Sequence, residues 1–104
     1  MTIDIADALA DALKTVIDPE LGYNIVDLGL VYQAEVIDGH AQILLTTTTP
    51  GCPATDYLCA AVEACTASVA GIAAVDVTMT WDPPWSPDRM SDEAKTHFGV
   101  ANTP

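Results

Sequence analysis

Apolar residues recur every three or four positions in three stretches of the chain, the spacing of one face of an α-helix. The first stretch predicts a helix over residues 3–16. Its apolar stripe consists of Ile5, Leu9, Leu13 and Val16. A second helix is expected to begin at Pro53, whose missing N–H is harmless at the first position, and to end before Gly71. Ser91 is expected to cap a third, short helix that ends at Phe98.

Alternating apolar and polar residues predict three β-strands. The first two, over residues 30–37 and 40–48, flank the pair Asp38-Gly39. This pair favours a type I′ turn, because both central positions of that turn need a positive φ, and it predicts an antiparallel hairpin. The third strand is predicted over residues 75–82.

The predicted order of elements is α-β-β-α-β-α, in one domain that spans residues 1–104. A small three-stranded mixed sheet with two main helices packed on one face would bury the apolar stripes, so we expect an α+β protein. The third strand follows a helix, and such a crossover makes it parallel to one strand of the hairpin.

The chain is strongly acidic, with fifteen Asp and Glu against three Lys and Arg, a net charge of −12. Nucleic acid and anionic membrane surfaces bind through basic side chains, so we expect neither as a partner. The acidity fits either solubility or docking to basic protein partners. No apolar run approaches the roughly 20 residues of a membrane span, and no secretion signal is predicted at the start of the chain.

Three cysteines, Cys52, Cys59 and Cys65, form no CxxC pair and no Cys/His array. A disulfide framework or a closed zinc site is therefore not expected, and a reducing cytoplasm fits best. Cys65 falls in the apolar stripe of the second helix and is predicted to pack in the core, whereas Cys59 lies on the flank of that helix. His40 and His97 are expected to be solvated surface side chains.

Cys52 directly precedes the predicted start of the second helix. Backbone N–H groups and the helix dipole favour negative charge there, so the thiol is expected to shift toward the thiolate, which attacks electrophiles and binds soft metals. The alternative is a cysteine that simply packs in a turn. Thr48 and Thr49 could donate hydrogen bonds to such a thiolate or to a ligand, or could serve only β-structure.

Asp18 and Glu20 flank Pro19, which biases the segment toward an extended conformation in which both carboxylates would point the same way. A hard metal or a general base could use such a pair. The alternative is a short helical turn with Asp18 as its cap. Trp81 is predicted to lie in the core, and Trp85 either to cover the core or to anchor a partner.

Three segments together resemble a known family. They read DPELGYNIVDLGLVY at residues 18–32, TTPGCP at residues 48–53 and WDPPW at residues 81–85. In order and spacing they are similar to the SufT-like and PaaD-like proteins of iron–sulfur cluster assembly, also called metal–sulfur cluster biosynthesis proteins. The resemblance implies an α+β fold and a role in maturing iron–sulfur proteins.

The resemblance also implies one binding pocket, lined by Asp18, Glu20, Leu21, Thr48, Thr49 and Cys52. Cys52 would be the metal ligand and would hold an iron–sulfur cluster transiently. A cluster usually takes four cysteine ligands, so it would be shared with the second subunit of a homodimer, with a partner protein or with a small thiol. Fe–S client proteins or other assembly proteins are the implied partners.

The expected function is therefore a non-enzymatic factor that assists cluster assembly or insertion. Two alternatives belong to other classes. One is an adaptor that binds a client through the acidic surface and Trp85, without any ligand role for Cys52. The other is a thiol enzyme with Cys52 as nucleophile and Asp18 or Glu20 as base, which is disfavoured because the motif holds no nearby histidine.

Overall fold

The computed structural model describes residues 5–48 and 53–100, apart from the side chain of Ala6. Its helices are α1 (Ile5–Leu13), α2 (Thr55–Ala67) and α3 (Asp92–Phe98). Its strands are β1 (Ile17–Asp18), β2 (Tyr23–Asn24), β3 (Val31–Ile37), β4 (His40–Leu45) and β5 (Ala74–Met79). A 3₁₀ turn, Pro87–Arg89, precedes α3. The protein is of the α+β class, as the sequence predicted.

The larger sheet is mixed, with β4 between β3 and β5. β3 and β4 are antiparallel, and the turn between them has φ of 50° at Asp38 and 78° at Gly39. These two positive angles confirm the predicted hairpin turn. β5 runs parallel to β4, which confirms the direction expected of a strand that returns through a helix.

One face of this sheet is buried beneath the helices. Along β4, Ala41, Ile43 and Leu45 are buried whereas Gln42 is exposed, the period of two that a strand imposes. The core cluster joins this face to the apolar stripes of the helices and comprises Leu9, Leu13, Val16, Ile25, Leu28, Leu30, Ile43, Leu45, Leu58, Val62, Met90 and Ala94. Full burial of a large aliphatic side chain contributes about 1.5–3 kcal/mol to folding.

Both long helices differ from prediction at their ends. α1 stops at Leu13 rather than at residue 16, because the last turn tightens to i→i−3 bonds, from the Thr15 amide to the Ala12 carbonyl and from the Val16 amide to the Leu13 carbonyl. The Thr15 hydroxyl also donates to the Ala12 carbonyl, at 2.6 Å. Residues 3–4 of the predicted helix lie outside the described residues. α2 begins at Thr55, two residues later than the predicted start at Pro53.

The strands also differ from prediction. β4 and β5 end at Leu45 and Met79, each three residues before the predicted ends at residues 48 and 82. A second sheet, formed by β1 and β2, was not predicted at all. Two-residue strands give too short an alternation to form a pattern, and only their pairing with each other defines them.

Residues 81–91, here called the crossing segment, lie across residues 24–30, here called the glycine turn. Two hydrogen bonds join them, from the Trp85 indole N–H to the Leu28 carbonyl (2.7 Å) and from the Ser91 amide to the Asp27 carbonyl (2.8 Å). Both bonds connect positions far apart in sequence. They therefore hold the C-terminal part of the chain against the motif that follows β2.

Gly29 allows these two segments to touch. Its φ is +79°, and a Cβ built on it would overlap the backbone carbonyl of Arg89. The Arg89 guanidinium lies 4.5 Å from the centre of the Tyr32 ring, and the Tyr32 hydroxyl donates to the Pro83 carbonyl at 2.8 Å. A side chain at Gly29 would therefore displace the crossing segment as well as strain its own backbone.

We predict that Gly29→Ala destabilises the protein by about 3 kcal/mol or more, the sum of left-handed strain and overpacking. Gly22→Ala is the matched control, because Gly22 also has a positive φ (+68°) but has nothing within 4 Å of an added Cβ. We expect that control to cost only about 1 kcal/mol. Urea unfolding of both variants measures the difference, and equal losses would contradict the close-approach argument.

Candidate functional site

Three backbone hydrogen bonds connect the two parts of the candidate site. They run from the Ile25 amide to the Val16 carbonyl (3.0 Å), from the Leu30 amide to the Ile25 carbonyl (3.0 Å) and from the Thr46 amide to the Leu30 carbonyl (2.9 Å). Residues 18–22, the Asp18 turn, start two positions after Val16. Residues 46–48, the threonine strand end, start at Thr46. These three bonds therefore connect the Asp18 turn to the threonine strand end.

Asp18 is buried, with 2% of its surface exposed. Its Oδ1 accepts the backbone N–H of Glu20 at 2.8 Å, and its carbonyl accepts the N–H of Gly22 at 2.7 Å. Asp18 therefore caps the turn that follows, which is one of the two alternatives that the sequence left open. Glu20 is exposed, so the two carboxylates do not form the matched pair that an extended segment suggested. Leu21 is half-buried and packs against the core cluster.

Burial decreases along the threonine strand end, from Thr46 to Thr48. Thr46 and Thr47 are each 1% exposed, and Thr48 is half-buried. The Thr47 hydroxyl accepts a hydrogen bond from the Trp81 indole N–H at 2.8 Å. Trp81 was predicted to lie in the core but is half-buried, because β5 ends before it and its polar N–H needs a partner. No pattern along the chain predicts this contact, since it depends on the register between β4 and β5.

Thr49 and Cys52, two of the six candidate pocket residues, lie outside the described residues, together with Pro50 and Gly51. Their roles stay predictions. α2 begins at Thr55 with Ala54 as its N-cap. Two residues, Pro53 and Ala54, therefore stand between Cys52 and the first helical residue, whereas the prediction placed Cys52 directly before the helix. Since helix-dipole effects fall off within the first turn, proximity in sequence supports the thiolate less strongly than predicted.

The two cysteines of α2 have a raised pKa. Burial, followed by the carboxylates of Glu63 and Asp56, raises the pKa of the Cys59 thiol. Burial also raises the pKa of the Cys65 thiol, and this side chain packs against the core cluster, as predicted. Both thiols are therefore less reactive near neutral pH than an ordinary exposed cysteine.

Trp85 covers the core. It is half-buried, packs against the core cluster and uses its indole N–H on the glycine turn. Of the two alternatives for this side chain, a lid over the core or an exposed partner anchor, the contacts favour the lid. An indole that is already packed and hydrogen-bonded has less surface to offer a partner.

Both histidines lie at the surface, as predicted, and each also has a local partner: His97 is exposed, and the His40 side chain is 42% exposed. His40 Nε2 lies 2.6 Å from Asp76 Oδ2, an ion pair or hydrogen bond between neighbouring strands. The His97 ring lies 4.9 Å from the Tyr23 ring and 4.8 Å from the Phe98 ring, measured between centroids. Each imidazole therefore has its own local partners.

Within residues 5–48 and 53–100, no three His, Cys, Asp or Glu side chains are arranged so that they could hold a metal ion. Cys52, the candidate ligand, lies outside those residues. In the same part of the chain, no helix is long and apolar enough to cross a membrane.

Asp27 has a depressed pKa at the centre of the glycine turn. The hydrogen bond from the Asn24 amide (2.7 Å) is the main cause, and a hydrogen bond from Ser91 and the charge of Lys14 act in the same direction, against the opposing effect of burial. The ionised carboxylate therefore helps to hold the glycine turn to the crossing segment.

Comparison with known proteins gives a consistent result. Residues 6–79 match the model of a family described as iron–sulfur cluster assembly protein. The chain is 42% identical over 87 residues to the Fe-S protein maturation auxiliary factor SufT of Staphylococcus aureus, covering 83% of this chain and 99% of that protein. It is 31% identical over 88 residues to an iron–sulfur cluster carrier protein of Synechocystis, covering 82% of this chain and 25% of that protein.

A solved structure has the same fold. A crystal structure from Bacillus anthracis, described as a domain of unknown function, DUF59, superposes with a TM-score of 0.87 at 37% identity. The superposition covers 93% of each chain. The arrangement of helices and sheets in this protein is therefore shared with a protein of closely similar length and sequence.

We predict that Asp27→Asn reduces the decrease in the free energy of unfolding that accompanies a fall in pH. Because the pKa of Asp27 in the folded protein is below its ordinary value of 3.8, the carboxylate contributes stability above that value and loses it as the pH falls through the folded pKa. Urea unfolding between about pH 5 and pH 2 measures this slope. An identical slope in the wild type and the variant would contradict the assignment.

We predict that Glu63→Gln accelerates alkylation of Cys59 by about twofold near neutral pH, because removing a nearby negative charge lowers the pKa of the thiol. Mass spectrometry of the peptide that contains Cys59 measures the rate. Glu93→Gln on α3 is the matched control and is expected to leave the rate unchanged. A rate that does not respond to Glu63→Gln would assign the raised pKa to burial and Asp56.

Proposed function

The chain belongs to the iron–sulfur cluster assembly protein family, and we propose that it assists the maturation of iron–sulfur proteins by holding cluster or iron through Cys52 before delivery. The family resemblance inferred from the three motifs is confirmed by the match over residues 6–79. That match is the observation that carries the proposal, because it includes both the Asp18 turn and Cys52. Relatives named as a maturation auxiliary factor and a cluster carrier support it.

The proposed pocket combines the two motifs. It is formed by Asp18, Glu20, Leu21, Thr48, Thr49 and Cys52. The backbone bonds from Val16 through Leu30 to Thr46 support this grouping, since they hold the Asp18 turn and the threonine strand end in one hydrogen-bonded unit. In this proposal Asp18 shapes the turn by capping it, and the exposed carboxylate of Glu20 is the acidic group that faces solvent.

The cluster is cargo in this proposal. One thiolate cannot supply the four cysteine ligands that a cluster usually takes. The described residues offer no cluster of metal-holding side chains that could replace them. The remaining ligands would come from the Cys52 of a second subunit, from a client or assembly protein, or from a small thiol. Shared ligation also makes release easy, because withdrawal of the other ligands leaves the cluster held by one bond.

In this proposal the protein carries a cluster or iron and does not catalyse a reaction. A thiol enzyme would need a base close to Cys52, yet His40 is engaged with Asp76 and His97 with the ring of Tyr23. Asp18 already accepts the Glu20 amide, so using it as a base would disturb the turn. The adaptor alternative loses its proposed anchor, because Trp85 packs on the core and bonds to Leu28.

The test is anaerobic reconstitution with iron and sulfide, followed by transfer of the cluster to an apo-client. We expect Cys52→Ala to lose binding and transfer by more than about tenfold, since a direct ligand should matter at least as much as the outer partners of a metal site. Cys59→Ser is the matched control, because it removes a thiol from the same region of the chain without touching the loop. We expect it to behave as the wild type.

Delivery of cluster by Cys52→Ala at the wild-type rate would contradict the ligand proposal and favour the adaptor. Equal losses of cluster binding and transfer in Cys52→Ala and Cys59→Ser would show that removing either thiol has the same effect, so that Cys52 has no special role. Absorption spectra of the reconstituted protein and recovery of client activity separate binding from transfer.

A further inference from the structure

β5 lies at an edge of the larger sheet. Because β4 lies between β3 and β5, no strand lies beyond β5 in the part of the chain that the structure describes. The Thr80 amide, directly after β5, donates to the Leu45 carbonyl at 2.8 Å, so the even-numbered positions face β4. Successive backbone groups of a strand point to opposite sides. The amides and carbonyls that point away from β4 are therefore those of Val75, Val77 and Met79.

The two edges of the sheet differ. At the β3 edge the register shifts between Val31 and Gln33, and the crossing segment binds Tyr32, whose hydroxyl donates to the Pro83 carbonyl. Bulges and covering segments keep an edge strand from pairing with another chain. β5, in contrast, is in unbroken register with β4 over all six of its residues, and it contains no proline or lysine. The backbone of β5 is therefore the one suited to accept a further strand.

Asp76 is the charged side chain of β5, and it is turned away from the free edge. Its Oδ2 lies 2.6 Å from Nε2 of His40 on β4. The carboxylate is therefore held toward β4 and not beside the outward-facing backbone groups. Charged side chains can protect an edge strand, but this one is paired on the other side.

A groove lies beside this edge, between α2 and β5. The residues that line it are Glu63, Ala67, Ile72, Ala73, Ala74 and Val75. Ile72 and Val75 are half-buried, so each still exposes apolar surface. The groove has a volume of about 280 Å³, which is below the roughly 300–1,000 Å³ of small-molecule sites. It therefore suits a few side chains of a polypeptide better than a cofactor.

The charge around the groove is negative. Glu63 is exposed, and the whole chain has a net charge of −12. The basic residues of the chain are Lys14, Arg89 and Lys95, and none of them belongs to α2 or β5. Carboxylates attract basic side chains and repel acidic ones. A basic segment of another protein therefore fits this groove better than a second copy of this acidic chain.

We propose that β5 and the groove bind an extended segment of another protein by strand addition. The main chain of that segment pairs with the outward N–H and C=O groups of β5, which supplies affinity. Its apolar side chains occupy the groove, and a lysine or arginine lies beside Glu63, which supplies specificity. This surface includes no residue of the proposed pocket, so the inference goes beyond the proposed function and does not depend on it.

The probe is a short fluorescent peptide of alternating valine and lysine, whose binding to the full chain is measured by fluorescence anisotropy. Two further versions carry N-methyl groups, on every valine or on every lysine, and a third has glutamate in place of lysine. Only one set of peptide N–H groups faces β5. We therefore expect one methylated version to bind about tenfold more weakly or worse, and the other to bind as the parent peptide. The glutamate version is expected not to bind.

Two matched pairs of variants test the protein side. Val75→Pro removes one outward N–H at an edge position, where proline is tolerated, whereas Val75→Thr keeps the N–H and the branched shape. We expect Val75→Pro to weaken peptide binding about fivefold, the effect of one backbone hydrogen bond, and Val75→Thr to change it by less than about twofold. Glu63→Gln is expected to weaken binding about threefold at low salt and not at high salt, whereas Glu93→Gln on α3 leaves it unchanged.

Equal binding of the two methylated peptides, or of the lysine and glutamate peptides, would overturn the inference. Absence of binding by the parent peptide at millimolar concentration would do the same. If Val75→Pro does not fold, the methylated peptides decide, because they need no variant. A wild-type dimer that Val75→Pro converts to a monomer would assign the edge to a second copy instead. Cys52→Ala is expected to bind the peptide as the wild type does, so this test and the cluster-delivery test fail separately.

Discussion

The backbone of Leu30 links the main parts of this molecule. Its amide donates to the Ile25 carbonyl and its carbonyl accepts the Thr46 amide, while its side chain is completely buried. Buried backbone groups must be paired, and no water can replace these partners. These bonds, with that from the Ile25 amide to the Val16 carbonyl, therefore join the Asp18 turn, the glycine turn and the threonine strand end. A site built from the first and last of these segments depends on this arrangement.

The crossing segment adds a second restraint from the opposite end of the chain. Trp85 and Ser91 bond to the glycine turn, and Trp81 bonds to the threonine strand end. The three bonds reach both segments that Leu30 joins. An acidic chain with only three basic residues can form few ion pairs to fix its loops. Here indole and backbone hydrogen bonds do that work instead, and they do not depend on salt.

The buried carboxylate illustrates how structure changes the meaning of a motif. Asp18 and Glu20 look like a pair in sequence, yet one caps a turn inside the protein and the other lies at the surface. In the proposed pocket, the first would supply shape and the second charge.

Local chemistry and motifs along the chain were enough to predict the order of the main helices and strands, the hairpin at Asp38-Gly39, the cap at Ser91 and the family. The sequence could not determine the β1–β2 sheet, the partner of His40 or the bond between Trp81 and Thr47. The last two features follow from the parallel register of β4 and β5, whereas β1 and β2 are too short to leave a pattern in the sequence. Register is a property of packed strands, and the alternation of a single strand does not encode it.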